Sequence, residues 1–272
     1  MVLPVFQPGD DPGPDFASLA RRVGVVPPHP EPAVATSIEV THGTTCVAVR
    51  FADGVVMAGD RRATSGNLIS HRHIEKVFPA DRHSRVAIAG AAGPAVEMVR
   101  MFQLQLEHYE KVEGAPLSLE GKANQLSQMV RNHLPAAMQG FVVVPIFAGF
   151  DTARGLGRLY QYDATGGRYE ELDFASTGSG SLQASTVVKL GYRPGAGRDA
   201  TVDLVLRALF EAADEDSATG GPDLIRNIFP VVATITAEGF TRVGDEELRS
   251  RFESIVDGLR ADRGGVEGGG VS

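Results

Sequence analysis

The sequence is poor in the residues that build most ready-made sites. One cysteine in 272 residues excludes an intramolecular disulfide framework and a cysteine-rich zinc site. No basic tract accompanies the net charge of −8, which argues against broad binding of nucleic acid or of an anionic membrane surface. No run approaches the ~20 apolar residues that span a bilayer. The opening MVLPVFQPGDDPGPD carries acids where a signal peptide has Lys or Arg; with one thiol and no export signal, a cytoplasmic location is expected. Cofactor loops are missing as well. Gly178-Ser179-Gly180 has Gln183 where a dinucleotide loop needs its third glycine, and the serine lacks nucleophile-elbow spacing. No Walker loop, H-E-x-x-H or EF-hand loop occurs, so no cofactor is expected. His71, His73 and Glu75 alternate along an expected strand but lack a fourth ligand; they read as a polar outer face, and no metal is expected.

Proline is present but uneven. Eight of the 16 prolines fall in the first 32 residues, a density that forbids a continuous helix or central strand. Residues 1–43 therefore read as an extended acidic leader with at most a short amphipathic turn around Phe16–Val23. The other end, 261–272, is glycine-rich and reads as a flexible tail.

Between the ends the texture is that of a packed domain, 44–260. Thr45–Phe51 and Val55–Ala58 are apolar runs joined through Asp53-Gly54, which predicts a β-hairpin. Further strands are expected at Leu68–Phe78, Arg85–Ala89, Phe141–Gly149, Gly157–Tyr162, Tyr169–Ala175 and Phe229–Thr236. Helical spacing marks Pro94–Lys111, Leu119–Leu134 (closed by Pro135), Ser181–Lys189, Asp199–Asp214 and Asp245–Leu259. Antiparallel runs of strands interrupted by pairs of helices do not fit βαβ winding. They predict an α+β domain in which two stacked sheets are covered by helices on their outer faces.

The sharpest chemical feature is the junction Thr41-His42-Gly43-Thr44-Thr45, where the leader meets the first strand. Cleavage after Gly43 would leave Thr44 with a hydroxyl and a free α-amine on one residue. Such an amine has a pKa of ~7.7–8, suited to general-base work near neutrality. Threonine with its own terminal amine is a recognised activated nucleophile. Asp60 directly follows the second strand, so the hairpin brings it near Thr44. Ile74, Lys76 and Phe78 share one face of the expected strand 68–78, and a lysine on a core-facing side requires a partner. Asp60 is available to it. Cys46 reads as a small core residue.

These residues carry a family resemblance. Thr44-Thr45-Cys-Val-Ala-Val, Gly54-Val-Val-Met-Ala-Gly-Asp60-Arg-Arg, Lys76-Val, Ile88-Ala-Gly90, Gly178-Ser-Gly-Ser181 and Asp216-Ser-Ala-Thr219-Gly220-Gly221 resemble the proteasome β subunits. The actinobacterial 20S type is nearest in look, including His108-Tyr109-Glu110-Lys111 and Ala136-Ala-Met-Gln-Gly. The resemblance implies an N-terminal-nucleophile hydrolase, a threonine-type endopeptidase with a four-layer αββα sandwich. It implies Thr44 as a nucleophile released by autocatalytic removal of the propeptide 1–43, Lys76 tuning its hydroxyl and Asp60 holding Lys76. Ser179, Asp216 and Thr219 match positions around the terminal amine, Thr219 standing where serine is commoner. Gly90 matches an oxyanion-hole N–H donor. Ala63, Ile74, Phe78, Ile88, Ala92 and Val96 match the primary specificity pocket and are all apolar, so cleavage after apolar side chains is expected. Arg62 matches a structural ion-pair position. Implied partners are α subunits and other β subunits in stacked seven-membered rings, an ATP-driven unfoldase ring, and unfolded protein substrates. A non-catalytic ring subunit would lack the Gly-Thr junction or the lysine. Subunits of the simpler two-ring bacterial protease also begin Thr-Thr but are shorter, and an amidase of the same superfamily would not match block by block.

Overall fold

Alternation along the first strand sets the architecture. Val47, Val49 and Phe51 point to one side, Cys46 and Ala48 to the other, and both sides are buried. A strand buried on both faces requires two covering layers. The computed structural model describes residues 43–267, with side chains through Ala261; the expected leader and its turn at 16–23 lie outside the described residues.

The first sheet contains β1 (Thr45–Phe51), β2 (Gly54–Gly59), β10 (Phe174–Gly178), β11 (Val231–Thr236) and β12 (Gly239–Arg242), in the order β10-β1-β2-β11-β12. The second contains β5 (Val77–Asp81), β6 (Ser84–Gly90), β7 (Val143–Asp151), β8 (Leu156–Tyr162) and β9 (Arg168–Glu171), in sequence order. All pairings are antiparallel. A small hairpin of β3 (Ala63–Ser65) and β4 (Leu68–His71) stands apart.

Three apolar slabs separate the four layers. Cys46, Ala48, Met57 and Ala233 of the first sheet meet Ala87, Ile146, Ala148 and Leu159 of the second. The outer face of the first sheet packs on α4 (Ser181–Gly191), α5 (Arg198–Glu215) and α6 (Asp245–Glu267), with Val205, Leu206, Leu209 and Phe252 inserted. The outer face of the second packs on α1 (Ala92–Glu113) and α2 (Leu119–Asn132), through Phe102, Leu106 and Leu126 against Phe147 and Tyr160. At one end the sheets meet backbone to backbone. A Cβ on Gly157 of β8 would lie 2.6 Å from the Gly54 carbonyl carbon of β2.

Several elements differ from their sequence expectation. The expected strand 68–78 is two strands, β4 and β5, separated by 72–76 and belonging to different sheets. The break lets Lys76 enter the protein while its carbonyl receives the Ile88 N–H at 2.9 Å. His71, His73 and Glu75 therefore form no common strand face, and the Glu75 carboxylate accepts from Arg242 at 3.0 Å. The expected strand 169–175 is likewise divided at Leu172-Asp173, β9 and β10 lying in opposite sheets. Pro135 does not close α2; it stands in the first turn of the short α3 (Leu134–Ala137), where a missing N–H leaves no helical bond unmade. The strands β3 and β12 are additional, and α6 continues to Glu267, past the expected Leu259.

Candidate active site

The β1–β2 hairpin fixes the first pair of functional groups. Its register opposes Cys46 to Gly59, so the next residues outward, Thr45 and Asp60, meet at the open end. The Thr45 N–H donates to Asp60 Oδ1 at 2.8 Å, and the Asp60 N–H returns to the Thr45 carbonyl at 3.1 Å. Lys76, just before β5, reaches the same carboxylate from the other sheet, its Nζ 2.6 Å from Asp60 Oδ1.

This buried ion pair is fully satisfied. Lys76 is 4% exposed and Asp60 0%, a setting in which charge is costly unless every proton and lone pair is engaged. The ammonium has three protons and three acceptors: Asp60 Oδ1, the Arg62 carbonyl at 2.5 Å and the Gly43 carbonyl at 2.9 Å. The carboxylate takes four bonds, its Oδ2 accepting the N–H groups of Arg62 at 2.9 Å and Gly220 at 2.8 Å. Arg62 makes no ion pair among the described residues, contrary to expectation; its guanidinium donates to the Ser217 carbonyl at 2.9 Å.

Thr44 sits beside this pair, nearly buried. Its hydroxyl donates to the Gly43 carbonyl at 2.6 Å, the oxygen that Lys76 also contacts. Only glycine fits at 43. A Cβ there would lie 2.6 Å from Thr64 Oγ1 and 2.9 Å from Ala218 Cβ.

A second arm approaches from the turn before α4 and the end of α5. The Ser179 N–H donates to the Thr44 carbonyl at 2.8 Å. Asp216 Oδ2 accepts the hydroxyls of both Ser179 and Thr219 at 2.5 Å, and Oδ1 accepts the Ala218 N–H at 3.1 Å. Thr45, which sequence reasoning did not single out, also belongs here: its Oγ1 is 2.6 Å from Thr219 Oγ1. Cys46 packs behind the ion pair. Burial pushes its thiol up to about 12, Lys76 opposing and Asp60 adding to the shift.

A cleft open to solvent borders Thr44 and Gly43. Ala63, Ile74, Phe78, Ile88, Ala92 and Val96 all line it, together with Gly90, Lys76, Ala95 and Glu75. Gly90 has φ +116°, and a Cβ there would stand 2.0 Å from the Val142 carbonyl oxygen, so this rim position requires glycine. The structure thus gathers Gly43, Thr44, Lys76, Gly90 and the six apolar residues around one cleft, with Asp60 behind and Ser179, Asp216 and Thr219 beside it.

The comparisons bear on this geometry. Residues 40–225 match the family described as proteasome subunit. A protein named proteasome subunit beta from Acidimicrobium ferrooxidans is 59% identical over 262 residues, covering 96% of this chain and 95% of the relative. One of the same name from Streptomyces griseus subsp. griseus is 56% identical over 226 residues, covering 83% and 80%. The chain belongs to the proteasome subunit family. Both relatives carry the β designation, and the two antiparallel sheets between helical layers are the N-terminal-nucleophile hydrolase sandwich that the resemblance implies. As a proteasome subunit the chain is part of a protein-degrading core and works beside other subunits of that assembly. No helix among its described residues is long and apolar enough to cross a membrane.

Proposed function

We propose that this proteasome subunit is a threonine-type endopeptidase whose nucleophile is Thr44, freed by autocatalytic cleavage after Gly43. The observation that carries this reading is the shared Gly43 carbonyl. It accepts from the Thr44 hydroxyl at 2.6 Å and from the Lys76 ammonium at 2.9 Å, so the bond to be cut is polarised by a cation beside its attacking group. In the first reaction Thr44 Oγ1 adds to the Gly43 carbonyl carbon and the C–N bond breaks, leaving an ester and a free α-amine. Water then hydrolyses the ester, releasing 1–43 with a carboxylate at Gly43. Cleavage removes one of the three Lys76 acceptors and frees that N–H for Thr44 Oγ1.

In the mature site the Thr44 amine takes the hydroxyl proton, the Lys76 ammonium favours the ionised oxygen, and Asp60 holds Lys76 in place. Ser179, Asp216 and Thr219 flank the amine and orient it. The Gly90 N–H stabilises the oxyanion of the acyl intermediate, a donor type worth about 3–4 kcal/mol where one has been removed. The apolar cleft selects apolar side chains before the cut bond. Such pockets separate substrates by only about 1–3 kcal/mol per methylene, so cleavage is broad. Selectivity then rests on confinement: α and β subunits in stacked seven-membered rings in the cytoplasm, fed unfolded protein by an ATP-driven ring, since this sequence has no nucleotide loop of its own.

Intact-mass and N-terminal analysis of the assembled particle tests this. Removing 43 of 272 residues leaves a mature chain of 229 beginning at Thr44. Thr44→Ala should keep all 272 residues and lose peptidase activity. Full activity in assembled wild-type particles that retain residues 1–43 would overturn the reading.

A further inference from the structure

The residue after the proposed nucleophile makes contacts that its place at the start of a strand does not require. Thr45 is fully buried, and its Oγ1 accepts the Gly180 N–H at 3.0 Å while lying 2.6 Å from Thr219 Oγ1. Counting protons fixes the direction of that second contact. A hydroxyl has one proton. Thr219 spends its proton on Asp216 Oδ2, an acceptor-only carboxylate oxygen 2.5 Å away. Thr45 must then be the donor to Thr219. The result is one directed chain: Gly180 N–H to Thr45, Thr45 to Thr219, Thr219 to Asp216, with the Ser179 hydroxyl donating to the same Asp216 oxygen at 2.5 Å.

The surroundings are shaped around this contact. Gly180 has an ordinary φ of −89°, so no backbone conformation demands glycine there. Space does. A Cβ on Gly180 would stand 2.6 Å from Thr45 Oγ1 and 2.9 Å from Thr219 Oγ1. Through its backbone the same Thr45 holds Asp60 Oδ1, the oxygen bonded to Lys76. One residue therefore ties together the two arms that reach Thr44, the lysine arm through its main chain and the Ser179–Asp216–Thr219 arm through its hydroxyl.

We infer that Thr45 is a positioning residue for the reaction: its hydroxyl orients the Thr219 proton toward Asp216 and thereby fixes the Ser179 hydroxyl beside the Thr44 amine. This rests on the reading of Thr44 as nucleophile. It is specific to the hydroxyl, since valine has the same branched shape but can neither accept from Gly180 nor donate to Thr219.

The test is peptide hydrolysis by assembled particles carrying Thr45→Val, Thr45→Ser, Gly180→Ala or Ser179→Ala, and the Thr45→Val/Ser179→Ala double variant. Loss of both hydrogen bonds of this buried hydroxyl should lower kcat by about tenfold or more in Thr45→Val, with KM little changed. Thr45→Ser should restore most of the rate, and Gly180→Ala should behave like Thr45→Val. The loss should also shrink in the Ser179→Ala background, because both variants act through one chain. A merely structural role predicts equal losses in both backgrounds. If Thr45→Val does not assemble, the smaller pair Thr45→Ser and Thr45→Ala asks the same question: the serine variant should exceed the alanine variant in kcat by a similar factor. Additive effects, or equal rates with and without the hydroxyl, overturn the inference. Thr44→Ala, run alongside, separates the outcomes, because activity surviving in that variant condemns the nucleophile assignment whatever Thr45 does.

Discussion

Asp60 and Lys76 leave no lone pair or proton unmatched, and that completeness makes single substitutions there severe. Asp60→Asn keeps the shape but leaves a buried ammonium without a counter-charge. Breaking a buried pair in this way costs about 3–5 kcal/mol, which should appear in thermal or denaturant unfolding together with failure to cut at Gly43. Lys76→Met fills the space but leaves the buried Asp60 carboxylate without its counter-charge, so it should unfold more readily as well; particles that do assemble should be inactive, and full activity in them would remove lysine from the mechanism. Cys46 offers a simpler check. Its thiol, pushed up to about 12 by burial, is protonated at neutral pH; the folded protein should not react with iodoacetamide at pH 8, and the unfolded chain should take up one equivalent. Thr44, Asp60 and Lys76 were legible in the sequence because a hairpin register and an apolar-flanked lysine are local signals. The hydroxyl role of Thr45 was not, since its partner lies 174 residues away.

At the scale of elements, a partly buried pair joins β5 to α2: the Lys122 ammonium contacts Asp81, whose carboxylate also accepts the Ser84 hydroxyl at 2.7 Å and the His83 N–H at 2.9 Å. Burial raises the Asp81 carboxyl, but Lys122 and the two other donors outweigh it and hold it below the ordinary value of 3.8. A carboxyl lowered by folding stabilises the protein above its unfolded pKa, and that contribution fades as pH falls below 3.8 toward the folded value. Asp81→Asn should therefore lower the unfolding midpoint at pH 7 and narrow its gap to wild type under acid, as measured by unfolding between pH 7 and 3. The helices and the layer scheme could be read from periodicity. The two misjudged strands, 68–78 and 169–175, failed for one reason. Alternation reports which residues face inward but not which sheet receives them, and the chain changes sheets inside both runs. The lining of the cleft emerged from resemblance, because its six residues are spread over β3, the 72–76 segment, β5, β6 and α1.

For the whole molecule, the relevant quantity is the spacing between the two sheets. Gly54 and Gly157 touch through their main chains at one end of β2, whereas at the other end the Cys46, Lys76 and Val77 side chains fill the gap beside Gly59. From Gly54 to Gly59 is five strand steps, about 17 Å. The sandwich is thus a wedge, and its thin edge acts as a fulcrum. Any atom added there tilts one sheet against the other, and the displacement is felt at the far end of the lever, where Asp60 comes from one sheet and Lys76 from the edge of the other. Gly157→Ala, remote from every reacting group, should cost about 1–3 kcal/mol of stability through overpacking and also slow peptide hydrolysis, while an alanine at Gly258 of α6, where a Cβ meets no neighbouring atom, should do neither.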